Sequence, residues 1–330
     1  MNVQLAGLLA DVLPRVASIA AFIALGLFAA NLLVALGAVE RVAGLARHLT
    51  DPANLPDEVG TAILATAASP TAGYGMLAEF REAGLSDRAT LVAVTINTFF
   101  GFVQHIFTFY LPVLIPILGL EVGVMYVGAR AAISLAITLT GIFAGMVLLS
   151  SPQSLSATPN SPGTDDGTRR EKLAEAGERT ASKLKTIVPR LAVVYVAVAW
   201  LTTNDFANAR LLADAVTAAT GTALPDVPAR SLLDAVGLPA AAVPVVAVFA
   251  VDTTSGAATI APLLDGTFTP RQAVATMLVG GIVSFAFSTF KRSIPFQYGV
   301  WGPSFGSKVV ALNTTLKVVF IGATLVLLLA

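Results

Sequence analysis

The sequence contains no cysteine and only two histidines, His48 and His105, in 330 residues. Disulfides and thiolate metal sites are therefore excluded, and the two histidines stand too far apart to form a ligand pair. Charge is scarce as well. Asp, Glu, Lys and Arg make up 12% of the chain, against about a quarter in soluble domains. Acids and bases balance at 20 each, so no basic surface points to nucleic acid. There is no GxxxxGK[ST] phosphate loop. No pair of acids, histidine cluster or nucleophile motif falls inside an apolar run, which argues against an enzyme, a catalytic residue, a metal site or a cofactor.

What fills the space is apolar sequence. Hydrophobic residues make up 55% and the mean hydropathy is +0.79. The runs 16–39, 89–111, 122–150, 272–290 and 309–330 are each long enough to cross a hydrocarbon layer of about 30 Å. A weaker run at 187–203 is shortened by Arg190. Residues 16–39 could pass for a signal peptide, but the run is long, lacks a basic flank and is followed by further spans. The expectation is an all-α polytopic protein of the plasma membrane with six crossings and the lipid bilayer as its partner.

Two other apolar stretches are too short-armed to cross. Residues 57–83 are charged at both ends and interrupted by Ser69-Pro70-Thr71-Ala72-Gly73. Each arm of about 12 residues makes roughly 18 Å of helix, which reaches only mid-bilayer. Pro70 interrupts the helical ladder and Gly73 permits a reversal, which predicts a re-entrant hairpin. Residues 239–265 follow the same design, with an apex at Asp252-Thr253-Thr254-Ser255-Gly256. The competing reading at each place is one kinked crossing helix.

An offset of 183 residues aligns Leu55-Pro56 with Leu238-Pro239, Gly73 with Gly256, Arg88 with Arg271, Phe102 with Phe285, Pro112 with Pro295 and Gly123 with Gly306. Residues 1–150 then form one repeat of helix, re-entrant hairpin and two helices, and 187–330 form the other. Between them, 151–168 are polar and rich in Ser and Pro, and 169–186 read as a charged surface helix. Three crossings per unit is an odd number, so the second repeat is predicted to be inverted. Loop charge gives the same answer. Arg41, Arg47, Arg81, Arg88 and the basic linker fall on one side, while loop 204–236 carries Asp205, Asp214, Asp226 and Asp234 on the other. The positive-inside rule places linker 151–186 in the cytoplasm and both termini outside.

Inverted repeats with broken helices characterise secondary transporters, because unpaired backbone groups at membrane depth survive only in protein or against a ligand cavity. Ser69, Thr71, Gly73, Thr253, Thr254, Ser255 and Gly256 at the two apices are candidate substrate contacts, with helix capping as the simpler role for the hydroxyls. Asp252 is an acid at membrane depth and a candidate carrier of H⁺ or Na⁺; its alternative is an N-cap. Asn97 and Gln104, with His105, are spaced to lie near one helical face, where they would meet substrate or bond within the bundle. Arg130 and Lys317 are buried charges that would favour an anion.

Residues 25–145, and more faintly 190–328, resemble the nucleoside-recognition, or gate, domain of membrane proteins. The matching features are a helix ending at Leu36-Gly37, an amphipathic stretch, Leu55-Pro56 before a broken helix, and Gly84-Leu85-Ser86 opening the next span. That domain occurs in concentrative nucleoside transporters, in the permease part of ferrous-iron transporters and in spore-maturation proteins. The chain departs from the iron permeases in lacking a G-domain and gate cysteines. The resemblance implies a permease for a small polar solute, nucleoside-like or an organic anion. A non-transporting scaffold or a subunit of a larger membrane complex is the alternative, and self-association into a homo-oligomer stays open.

Overall fold

A computed structural model describes residues 50–150, 237–288 and 293–330, with scattered positions between 10 and 28 and between 168 and 196. At a few positions within these, Thr71 and Pro295 among them, only the backbone is described. The predicted spans 16–39 and 187–203, linker 151–186 and loop 204–236 lie wholly or largely outside the described residues. All regular structure among the described residues is helical.

Helix α1 (Asp57–Ala68) begins after Pro56 with two acids in its first turn, which complement the positive helix end. It stops at Ser69, whose backbone is extended at φ −149° and ψ 109°. The cause is Pro70, whose ring disfavours helical geometry in the residue before it. Pro70 then opens α2 (Pro70–Glu82), where its missing N–H costs nothing. The chain doubles back at this point. A Cβ on Gly73 would stand 2.6 Å from the carbonyl oxygen of Ala62, whereas eleven residues of straight helix would separate the two by roughly 16 Å. A single kinked helix is thereby excluded.

The second broken segment is built alike. Helix α6 (Ala242–Val251) and helix α7 (Thr253–Ile260) meet at Asp252, extended at φ −147° and ψ 122°. No proline enforces this break; the Asp252 carboxylate caps α7 instead. Gly256 is pressed on Phe249, with a hypothetical Cβ 2.4 Å from the Phe249 Cα. Each break is one residue wide, narrower than the five-residue apices expected. Thr71, Thr253, Thr254 and Ser255 belong to the first turn of the returning arm. At 12, 13, 10 and 8 residues, the four arms measure about 12–20 Å, short of a bilayer.

Two long helices follow the first hairpin. Ser86 caps α3 (Asp87–His105), which continues through a π-helical stretch, Ile106–Leu114, into the short α4 (Ile115–Leu118). The wide π turns accommodate Pro112 inside the helix. The span therefore ends at 118, seven residues beyond the sequence expectation. Gly119, at φ 79° and ψ 168°, makes the break before α5 (Leu120–Leu148). One face of α5 presents Leu135, Leu139, Phe143 and Val147 outward at one-turn spacing. Its other face is small. A Cβ on Gly141 would come 3.0 Å from Ile96, and one on Gly145 2.5 Å from the Ala53 carbonyl. Outward apolar residues and a small packing face are what a lipid-embedded helix needs.

The second half follows suit. Thr269 and Gln272 form a reciprocal capping box at the start of α8 (Pro270–Ser288). Helix α9 (Ile294–Leu329) is broken inside by Gly302 at φ 74° and ψ 164°. The predicted span 309–330 is thus the greater part of a helix that starts directly after Gly302. Positions 183 apart share backbone states: Ser69 with Asp252, Gly119 with Gly302, and Asn54 (φ 52°) with Gly237 (φ 74°).

Two buried clusters hold the halves together by exchange. Trp301, Phe305 and Val309 of α9 pack with Leu55, Ile63, Leu77 and Phe80 of the first hairpin region. Conversely, Leu118, Val122 and Tyr126 pack with Val245, Phe249 and Ala257 of the second. These two trios also stand 183 residues apart.

Candidate functional site

The polar centre of the molecule lies where α5 and α9 pack together beside the hairpins. Tyr126, on α5, sets its ring 6.4 Å from Phe249 at an edge-to-face angle, and 6.2 Å from the ring of Tyr110. One turn further along α5 stands Arg130. Its Nε is buried and has no hydrogen-bond partner. Lys317, on α9, places Nζ 4.4 Å from the centre of the Phe285 ring.

No carboxylate among the described residues forms an ion pair with either cation. A charged side chain near the bilayer centre costs about 2.5–3.5 kcal/mol even on lenient insertion scales. A cation–π contact returns roughly 0.5–2 kcal/mol, and the two like charges repel. The pair is therefore electrostatically unsatisfied.

Position 313, offset by 183 from Arg130, is Asn313. It is half-buried on α9. The Trp301 indole N–H donates to Gln297 Oε1 at 2.7 Å, and the Tyr74 ring stands edge-on to Phe296 and Trp301 at 5.7 and 6.3 Å. The first hairpin is thus met by the bonded Trp301–Gln297 pair and an aromatic cluster, whereas Arg130 and Lys317 place two cations on α5 and α9.

The candidate residues are distributed as follows. Ser69 is the break itself; its carbonyl accepts from the Gly73 N–H at 3.0 Å. Gly73 and Gly256 are buried crossing points of the hairpin arms. Asp252 Oδ1 accepts from the Ser255 N–H at 2.8 Å and from its hydroxyl at 2.7 Å, so the capping role weighed in the sequence is present. Thr253 and Thr254 are half-buried in the same turn. The Thr71 side chain lies outside the described side chains. Asn97 is 2% exposed and neither of its amide atoms has a partner. Gln104 is half-buried and His105 exposed, its Nδ1 2.9 Å from the Gly101 carbonyl oxygen. The expected common face of Asn97 and His105 does not form, because eight residues carry the helix about 80° round.

Tyr74, Tyr110, Tyr126, Gln297 and Asn313 were missed in the sequence. A tyrosine hydroxyl does not stand out in an apolar run, though Tyr126 sits one turn before Arg130 and Asn313 at the repeat offset from it.

The two ends of the bundle differ. At one, Arg81 stacks 4.1 Å over the Phe305 ring and pairs with Asp87 at 2.9 Å, and Lys308 reaches the same carboxylate at 3.4 Å. At the other, residues 116–122 and 261–270 line an open cleft of about 450 Å³ that carries Glu121 and Asp265.

Three long apolar helices, Asp87–Leu118, Leu120–Leu148 and Phe296–Leu329, are able to cross a membrane, and the fold fits a helical membrane protein. No family model matches the chain, and no solved structure matches it. The chain is similar to two uncharacterized proteins of Methanocaldococcus jannaschii. MJ0871 is 26% identical over 265 residues, covering 79% of this chain and 77% of its own. MJ0880 is 23% identical over 325 residues, covering 97% and 99%. The resemblance to the gate domain rests on the sequence pattern.

Proposed function

We propose that the chain is a secondary transporter or permease for a small polar solute, nucleoside-like or an organic anion. In this reading residues 1–150 and 187–330 are inverted repeats, each with a re-entrant hairpin, and the solute is held between the hairpin tips. Asp252 couples movement to H⁺ or Na⁺. The chain lies in the plasma membrane with linker 151–186 cytoplasmic and both termini outside. The observation that carries the reading is the pair of one-residue helix breaks at Ser69 and Asp252, alike in backbone conformation and 183 residues apart. The reciprocal exchange of core residues between halves supports it, since two-fold relation of the units generates that exchange.

One observation favours the alternative of a non-transporting scaffold or complex subunit: Asp252 already serves as the N-cap of α7. Asp252→Asn separates the roles, because Asn caps about as well as Asp but carries no charge. Uptake of labelled uridine and of labelled succinate into proteoliposomes under a Na⁺ or H⁺ gradient is the test. Wild type is expected to accumulate one of them, and Asp252→Asn to equilibrate it without accumulation. Equal accumulation removes the coupling role, and no wild-type uptake of either favours the scaffold.

A further inference from the structure

Positions 130 and 134 on α5 are related by the 183-residue offset to positions 313 and 317 on α9. The four residues are Arg130, Ser134, Asn313 and Lys317, so each helix contributes one cation and one neutral polar group, in opposite order. Helices α5 and α9 pack together, and the residues flanking the two cations, Ala129, Ala131 and Ile133 on one helix and Leu316, Phe320 and Ile321 on the other, belong to one packed cluster. A two-fold-related pair of helices would meet at its axis here. Lys317 lies near the middle of the stretch that follows Gly302. Arg130 is ten residues into α5, about 15 Å of helix. Both cations therefore sit at a depth that lipid headgroups do not reach.

The Arg130 guanidinium is only partly used. Its Nε–H is buried without a partner. Lys317 has the face of Phe285 and no carboxylate among the described residues. A guanidinium with free donors beside an ammonium matches a carboxylate or phosphate group, which accepts from both and neutralises the pair. Ser134, 8% exposed, adds a hydroxyl on the same stretch of α5.

We propose that Arg130 and Lys317 form the binding site for a small free anion, a carboxylate or phosphate, between α5 and α9. The inference deepens the transporter reading, resting on it for the solute's path but not for binding itself. Of the two solute classes in that reading it selects the organic anion over the neutral nucleoside.

The test is thermal unfolding of the full chain in neutral detergent with succinate, inorganic phosphate, uridine or short-chain phosphatidylglycerol. Succinate or phosphate is expected to raise Tm by about 4 °C near saturation, and uridine to leave it unchanged. Arg130→Gln and Lys317→Gln should each abolish the anion shift while unfolding at or above the ligand-free wild-type temperature, since each removes a cation that no carboxylate among the described residues pairs with. Arg130→Lys, which keeps charge, should retain part of the shift and decides the matter if Arg130→Gln does not fold. No shift with any anion, an equal shift in the Gln variants, or a shift with uridine alone overturns the proposal. A shift with phosphatidylglycerol alone overturns it in favour of a lipid site. Anion binding without succinate flux in proteoliposomes keeps the site and removes the transporter; uridine flux without anion binding does the reverse.

Discussion

The two ends of the helical bundle are built from corresponding stretches of the two halves, yet they are in different states. Around residues 81–87 and 301–308 the surface is closed by Arg81 on Phe305 and by Asp87 held between Arg81 and Lys308. Around 116–122 and 261–270 it is open, and the cleft is bordered by Glu121 and Asp265. In the repeat register Phe305 corresponds to Val122, Lys308 to Met125 and Arg81 to Leu264. The residues that close one end thus have no charged or aromatic counterparts at the other.

The same contrast recurs at depth. Gln297 and Trp301 bond to each other beside the first hairpin, whereas the Arg130 Nε–H has no partner and no carboxylate among the described residues pairs with Arg130 or Lys317.

The comparison can be broken most severely at the hairpin crossings. Gly256→Ala places a methyl against the Phe249 backbone, which cannot rotate away; a loss of about 3 kcal/mol or more is expected. The measurement is loss of the monodisperse peak on size exclusion. Gly73→Ala meets the Thr66 hydroxyl, which can turn, and the Ala62 carbonyl, which cannot. It should cost less, about 2 kcal/mol, and Thr66→Ala should recover part of that. Equal tolerance of both alanines would mean that the arms do not cross as described.

Gln297→Leu comes next. It leaves the buried Trp301 indole N–H without its acceptor and should lower stability by about 1–2 kcal/mol, read as a fall in Tm, without altering anion response. The smallest effect belongs to Lys308→Gln at the closed end. Lys308 and Asp87 are 56% and 46% exposed, so the variant should change stability by less than about 1 kcal/mol. Reaction of a cysteine placed at Ser304 with a hydrophilic maleimide should nonetheless quicken in that background.

The sequence was legible where a residue type forces the backbone. Pro70 dictated the first break through its effect on Ser69, and Asp252 followed from its position between an apolar run and Thr253-Thr254-Ser255. The caps at Ser86 and Thr269 emerged only in the structure, where their side chains replace backbone partners. Two features were hidden. Pro112 looked like the end of a span, but π turns absorbed it and moved the break to Gly119. The start of the last span was obscured by Ser304 and Lys308, polar residues at the membrane end that are helical nonetheless. The site was legible only in its charges. Arg130 and Lys317 stand out in apolar runs, but their juxtaposition and the tyrosines around them depend on how α5 and α9 pack, and residue spacing within either helix does not carry that.

The central claim is inversion of the two halves, and the cysteine-free chain makes it directly measurable. Glu121 and Ser304 are both exposed, each lies two residues past its Gly break, and they are 183 residues apart. Glu121→Cys and Ser304→Cys, each expressed in whole cells, would be treated with a membrane-impermeant maleimide before and after permeabilisation. The account predicts that Cys at 121 reacts in intact cells and Cys at 304 only after permeabilisation. Reaction of both from the same side would contradict it.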